Sequence, residues 1–549
     1  MFNLKKLILA ALCLFVLAGC QSSKPAKTAS GETAEYAQMR PDARNLDELT
    51  VVFSSHGIEL DPRKSYYSTE AQIITAIYEG LFSYHPLNLD PVPAVAERWA
   101  LSEDKKQWTF TIRQNARYWN GDPVRAQDFS AAWLSLLEPG KESPYSSFFD
   151  VIEGARDYRN GIQRDPAKVG IIAESDRTLI VKLASPASFF PAMLCHHSFS
   201  PIHPSMLDRT DWSPQTQRNW QPPVSNGPFR ITSMNDERIV LQKSAQYWEN
   251  QHVALNKITV KFSSSADEAA SLWNSGEARW IAGEVNTNAL TDRSGIQVNV
   301  MFATYYYFIR SSERPWNDHR VRRAMALVLP WEEIRSVYNL PAETLIFPLR
   351  GYPEVKGITE ADYEEARRLM TEAGYANGSN TPTLVIRLTP SRDAARVGAL
   401  MANAWKENLG INVRVEVISP DRYFQAMKEG GYTVGSTSWI GDFADPYAFL
   451  QMFRRDSNLN DARLNDSDYE ALIERSMIEE GGTRLATLAE AERLLLSRGV
   501  VLPICYSPAV NIVDTGELDG WYPNAMDIHP FKYISFKAYR PMPGVAMAR

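Results

Sequence analysis

Hydrophobic positions along this chain follow two periods, one of strands and one of helices. Trp108, Phe110 and Ile112 alternate with polar neighbours, as a half-buried strand requires, and Asn120-Gly121 supplies a turn beyond it. Ala126, Phe129, Trp133 and Leu137 then recur at helical spacing. Strands are predicted at Leu49 to Phe53 and Thr178 to Leu183. Between them, Thr69 followed by Gln72 predicts a capping box for a helix whose apolar face is Ile73, Ile74, Ile77 and Leu81. Downstream, helical patterns over Asp318 to Leu329, Tyr363 to Ala373, Ala394 to Trp405 and Asp468 to Leu496 interleave with β-rich runs at Leu384 to Leu388 and Ile411 to Val417. Periodicity alone therefore supports a mixed α/β chain, with no internal repeat.

At 549 residues the chain exceeds what one core serves, so two or three domains are expected. Its 44% hydrophobic and 22% charged residues are ordinary for a globular protein. The formal net charge of −7, which becomes −9 if Lys5 and Lys6 leave with a leader, argues against nucleic acid as a partner. Such a leader is legible: Lys5 and Lys6, the apolar run Leu7 to Leu17, then Leu17-Ala18-Gly19-Cys20, which resembles a lipobox. Residues 1–19 read as a lipoprotein signal peptide, Cys20 as the lipidated amino terminus and residues 20–45 as a solvated tether. The body is then expected to be exported and lipid-anchored to a membrane. It would face the periplasm in a Gram-negative source, and lie on the outer face of the cytoplasmic membrane in a Gram-positive one. Cys195 and Cys505 remain as one disulfide or two buried thiols. His196, His197 and His203 cluster without a carboxylate or Cys at a zinc interval, so packing or surface roles are expected, with no metal and no cofactor.

Candidate chemistry concentrates in Ser438-Trp439-Ile440-Gly441-Asp442-Phe443-Ala444-Asp445-Pro446-Tyr447-Ala448-Phe449-Leu450. A Trp and two carboxylates stand in an apolar, Gly- and Pro-interrupted segment, where a strand running into a loop presents side chains to a cleft. Burying Asp442 without a partner would cost roughly several kcal/mol, so it should meet a cation or several N–H donors, and a peptide α-ammonium would serve. The plainer alternative is that both Asp residues cap turns, Asp445 before Pro446 above all.

This segment resembles the Trp-x-x-Asp-Tyr-x-(Asp/Glu)-Pro stretch of the oligopeptide-binding proteins of ABC transporters, with Phe443 in place of the usual Tyr. Further matches follow in order: Leu60-Asp61-Pro62, Tyr78-Glu79-Gly80-Leu81, Val92 to Trp99, Tyr118 to Val124, Ser225 to Ile231, Tyr247-Trp248 and Arg320-Val321-Arg322. On these the chain is identified as resembling the family 5 extracellular solute-binding proteins, oligopeptide-binding type. The resemblance implies an α/β, periplasmic-binding-protein-like (type II) fold, two lobes closing on a cleft plus an extra domain. Lobe I would be discontinuous over 46–78, 204–303 and 515–549, with extra domain II at 79–203 and lobe III at 304–514. Where the family usually has a helix-capping Thr, Arg125 stands here, and Asp122 is expected to cap instead.

By the same resemblance the protein is no enzyme but a monomer that captures short peptides and delivers them to ABC permease subunits, anchored to the membrane through Cys20. Asp442 would hold the α-ammonium, Ser438 and Ile440 would offer backbone, and Trp439, Tyr145, Tyr66 and Tyr306 would wall the site. Family positions for a basic residue facing the peptide carboxylate fall on Asn339, Ala394 and Ser436, leaving Arg310 or Arg392 as substitutes. The alternative is the same fold holding a metal complex, haem, an oligosaccharide or a murein peptide.

Overall fold

The computed structural model describes residues 46–537 apart from 55–57, 142, 211 and 213–219. The signal peptide, Cys20, the tether and the tail at 539–549 lie outside the described residues. A ten-stranded mixed sheet runs through the body, in the order Val413–Val417, Leu384–Leu388, Val434–Ile440, Ile296–Ile309, Val501–Val513, Trp280–Ala282, Glu48–Ser54, Lys257–Ser263, Arg238–Lys243 and Phe229–Met234.

Its two central strands are the longest, and they change neighbours partway. Before the break, Ile296 to Val300 pairs with Ile512 to Pro508, whose other neighbour is Trp280–Ala282. After it, Thr304 to Phe308 pairs with Tyr506 to Val501 and, on its other side, with Val434–Ile440. The register slips between Val300 and Thr304, as a bulge requires. Each end of the sheet is thus completed by half of each long strand, and the change of neighbour on the second strand falls near residues 506–508.

A separate antiparallel sheet, Ala96–Leu101, Gln107–Ile112, Thr178–Lys182 and Ile171–Ser175, packs under the helix Ala126–Leu136. Trp108, Phe110 and Ile112 do alternate inward, and Trp133 is wholly buried.

Local capping differs from expectation in two places. Helix Ser68–Ile77 is closed by Glu70, which accepts the backbone N–H groups of Tyr66 at 2.7 Å and Tyr67 at 3.0 Å. Gln72, assigned that task from spacing, is buried and instead bonds the His529 backbone with both amide atoms, at 2.6 and 2.9 Å. A long-range backbone partner thus outcompeted the local one. Asp122 caps no helix either: it accepts from Asn120 at 2.6 Å and meets His203 Nε2 at 3.0 Å, while Asp128 receives the Arg125 N–H at 2.9 Å. The helical run after Asp468 divides into Ser467–Ile478 and Gly481–Ser497, where Gly481 adopts a φ of 56°. Cys195 and Cys505 are buried free thiols.

Glu79, in the Tyr-Glu-Gly-Leu segment, ties two remote stretches to its own. Its Oε1 accepts from the Tyr247 hydroxyl at 2.6 Å and the Lys532 ammonium at 2.7 Å, and its Oε2 from Trp248 Nε1 at 2.5 Å. Carboxylate and ammonium are both buried, so the pair stands only because its hydrogen bonds are filled.

Candidate ligand-binding cleft

The site grows out of the strand Val434–Ile440. In an antiparallel ladder the backbone groups of successive residues point to opposite edges. The Gly441 N–H donates to the Phe302 carbonyl at 2.8 Å, which aims Gly441, Trp439 and Thr437 at the Ile296–Ile309 strand. Ser438 and Ile440 therefore turn their N–H and C=O groups to the other edge. On that edge the strand Leu384–Leu388 pairs only at Val434, and the Tyr423 hydroxyl occupies Ser436, accepting its N–H at 3.1 Å and donating to its carbonyl at 2.9 Å. Along that second edge, from Ser438 to Ile440, no strand among the described residues lies alongside.

The strand then turns at Gly441, where a Cβ would stand 2.3 Å from the Phe302 ring, so only glycine lets the backbone approach this closely. Phe443, stacked on Phe189 at 5.5 Å, anchors the loop on its far side. Asp442 is thereby held with 8% of its surface exposed. Its Oδ2 is buried and, among the described residues, meets no hydrogen-bond partner; its Oδ1 lies 3.5 Å from His196 Nε2. Burial pushes the Asp442 carboxyl well above the usual carboxylate range. Burial also pushes the His196 imidazole down to about 3, so the neighbour is neutral and supplies no charge. Asp445, by contrast, plays the structural part anticipated for it: it accepts two bonds from Arg484 at 2.7 and 2.9 Å and one from the Tyr447 N–H at 2.9 Å.

Asp442 faces a cavity of about 220 Å³. Ser438, Trp439, Ile440, Tyr66 and Tyr145 all line it, so six of the seven ligand residues expected from sequence converge there. The rings of Tyr66, Tyr145 and Trp439 form a triangle with centroid distances of 6.3 to 6.4 Å. Tyr306 is the exception, buried along a neighbouring crevice that shares Tyr66 and Trp439 as walls.

Sequence reasoning missed the rest of the wall. His196 and His197 were visible as a cluster but read as packing or surface, whereas both are buried in the lining. Met526 and Ile528 also line it, and nothing in the local sequence marks them. Asn458, remote in sequence, holds the Tyr145 loop, donating to the Ser143 and Pro144 carbonyls at 2.7 and 2.6 Å and accepting the Ser147 N–H at 3.2 Å. Of the residues considered for a ligand carboxylate, Arg310 lies over the Tyr432 ring at 4.8 Å, Ala394 is buried within a helix, and Asn339 and Arg392 are exposed. None of them lines the cavity. Among the described residues no group of three His, Cys, Asp or Glu side chains is placed to hold a metal ion.

Comparison with known proteins agrees with this architecture. The dipeptide-binding protein DppE of Bacillus subtilis is 26% identical over 543 residues, covering 95% of this chain and 96% of that one. The periplasmic oligopeptide-binding protein OppA of Salmonella typhimurium is 28% identical over 506 residues, covering 87% and 90%. Among solved structures, the murein tripeptide-binding protein MppA of Escherichia coli superposes with a TM-score of 0.78 at 25% identity, over 90% of this chain and 99% of that one. The fold is accordingly that of the type II periplasmic binding proteins, as the sequence motifs implied. The family model for the middle region of the bacterial extracellular solute-binding proteins, family 5, matches residues 90–461, and the chain belongs to that family.

Proposed function

We propose that this protein is the substrate-binding component of an ABC importer, capturing short peptides by their free amino terminus. One observation carries the reading: a buried carboxylate, Asp442, with an unpartnered oxygen, opens on an aromatic-walled cavity beside a free strand edge. An ammonium supplies the missing counter-charge and donors. The Ser438 to Ile440 edge pairs the ligand main chain by strand addition, which every peptide permits whatever its side chains. Relatives named for dipeptide, oligopeptide and murein-peptide binding support the ligand class. An anionic ligand with no amine would leave Asp442 worse off than solvent does.

Native mass spectrometry of protein purified without refolding tests this reading. Co-purified masses that fragment as short peptides are expected, and a single non-peptide mass would overturn it.

Proton linkage gives a second test. The free site holds Asp442 with a raised carboxyl pKa, and a bound ammonium lowers it. Affinity should fall as pH drops below the free-site value, and fall again once the peptide ammonium loses its proton above about pH 8, with His196, His197, Tyr66 and Tyr145 neutral between. Calorimetric enthalpies in buffers of different ionisation heat should show proton release at pH below the free-site value; buffer-independent enthalpies there would reject the linkage.

The domain limits are assigned, on the family resemblance, as lobe I at 46–78, 204–303 and 515–549, extra domain II at 79–203 and lobe III at 304–514. The permease is expected to read closure of the two lobes. No described helix is long and apolar enough to cross a membrane. Attachment is assigned to Cys20, on the strength of Leu17-Ala18-Gly19-Cys20. Metabolic labelling with an alkyne fatty acid should mark the wild type and not Cys20→Ser; equal labelling would remove the assignment.

A further inference from the structure

The crevice beside the main cavity carries its own carboxylate. Trp439 and Tyr66 separate the two spaces, and behind them Tyr306, Phe453 and Asp461 complete the walls. Thr437, Trp439, Tyr306 and Phe308 lie on one face of the sheet, since Thr437 is directly opposite Tyr306 and all four alternate in phase. Asp461 reaches this face from the loop that also delivers Asn458. Among the described residues neither a hydrogen bond nor an ion pair engages its carboxylate, and Arg463, Arg310 and Lys428 act on it only at longer range. Burial outweighs those three cations and raises its carboxyl above the usual range.

We propose that this crevice is a subsite for an ammonium-bearing side chain, lysine or ornithine, at one of the first two positions of a bound peptide. The inference rests on the peptide reading given above. Five aromatic side chains lining one crevice with a carboxylate are the chemistry that recognises a cation, through ring quadrupoles and charge together. Size selects among cations. The free volume is about 20 Å³, close to the roughly 10–15 Å³ of probe-occupied volume that one water needs. An ammonium head is water-sized and fits; a planar guanidinium does not. The apolar stem of lysine would lie along Tyr66 and Trp439, which separate the crevice from the α-ammonium site. Because side chains of an extended ligand alternate between faces, only one of the two positions reaches Asp461.

The test uses the full chain and tripeptides in which lysine is exchanged for norleucine, its isostere without the ammonium. Titration calorimetry is run with Lys-Ala-Ala against Nle-Ala-Ala, and Ala-Lys-Ala against Ala-Nle-Ala, together with the arginine versions and Ala-Ala-Ala. At one position lysine should bind at least tenfold tighter than norleucine and tighter than arginine. In Asp461→Asn that preference should shrink to under threefold while Ala-Ala-Ala binds as before. The wild-type comparison stands without any variant, so a misfolded Asp461→Asn protein would not spoil it. Binding of Ala-Ala-Ala without lysine preference at either position overturns the subsite and leaves the peptide reading intact. Failure of every tripeptide to bind, in protein freed of any co-purified ligand, overturns both.

Discussion

Asp442→Asn is expected to weaken binding of a free-amine tripeptide by roughly 100- to 1,000-fold, about 3–4 kcal/mol, the range for removing one partner of a buried charge pair. Titration calorimetry reads this directly. Acetylating the amino terminus of the same tripeptide should cost wild-type protein a comparable amount, and acetylation should cost the variant little further, because both changes delete the same contact. Additive losses would mean that Asp442 and the amine do not meet.

The variant should meanwhile lose no stability when empty. A carboxyl whose folded pKa is raised, as this one is, binds more protons folded than unfolded between the two values. Its contribution therefore turns unfavourable as pH rises through that window and stays so above it. Ligand-free Asp442→Asn should unfold no lower than wild type, whereas the peptide-induced rise in melting temperature disappears.

Glu79→Ala should have the largest effect on folding. It strips the buried Lys532 ammonium of its carboxylate and leaves the Tyr247 hydroxyl and Trp248 indole N–H without their acceptor. A loss of about 3–5 kcal/mol is expected, measured by urea unfolding at neutral pH. Removing both charges together, as Glu79→Gln with Lys532→Met, should recover part of that loss. A single Glu79→Ala change costing under about 1 kcal/mol would show the pair to be dispensable.

How far the sequence could be read depended on whether the partner of each residue was local. The strand through Trp108, Phe110 and Ile112 and the helix carrying Trp133 are set by their own periodicity, and both formed as expected. Gln72 and Asp122 have plausible local partners and took distant ones, His529 and His203, which no window of sequence contains. The cleft divides in the same way. Asp442, Trp439 and the Ser438 to Ile440 edge lie on one strand and its turn, so their alternation could be worked out in advance. Met526, Ile528 and Asp461 reach the cleft from loops whose positions depend on the whole fold. His196 fell between these cases: its cluster was plain, but its burial against Asp442 follows from packing 246 positions away in the chain.

The free strand edge from Ser438 to Ile440 has a cost that its surroundings remove. Unpaired strand edges recruit other strands, and left open they would seed chain-to-chain polymers. Here the edge ends at Ser436, closed by the Tyr423 hydroxyl, and its accessible part lies in a cavity bounded by Tyr66, Tyr145 and Trp439. A loose peptide can thread in by its end, but the border of another folded sheet is too wide to enter. On the peptide reading, the same walls would act as a sieve, admitting degraded protein while keeping intact neighbours out.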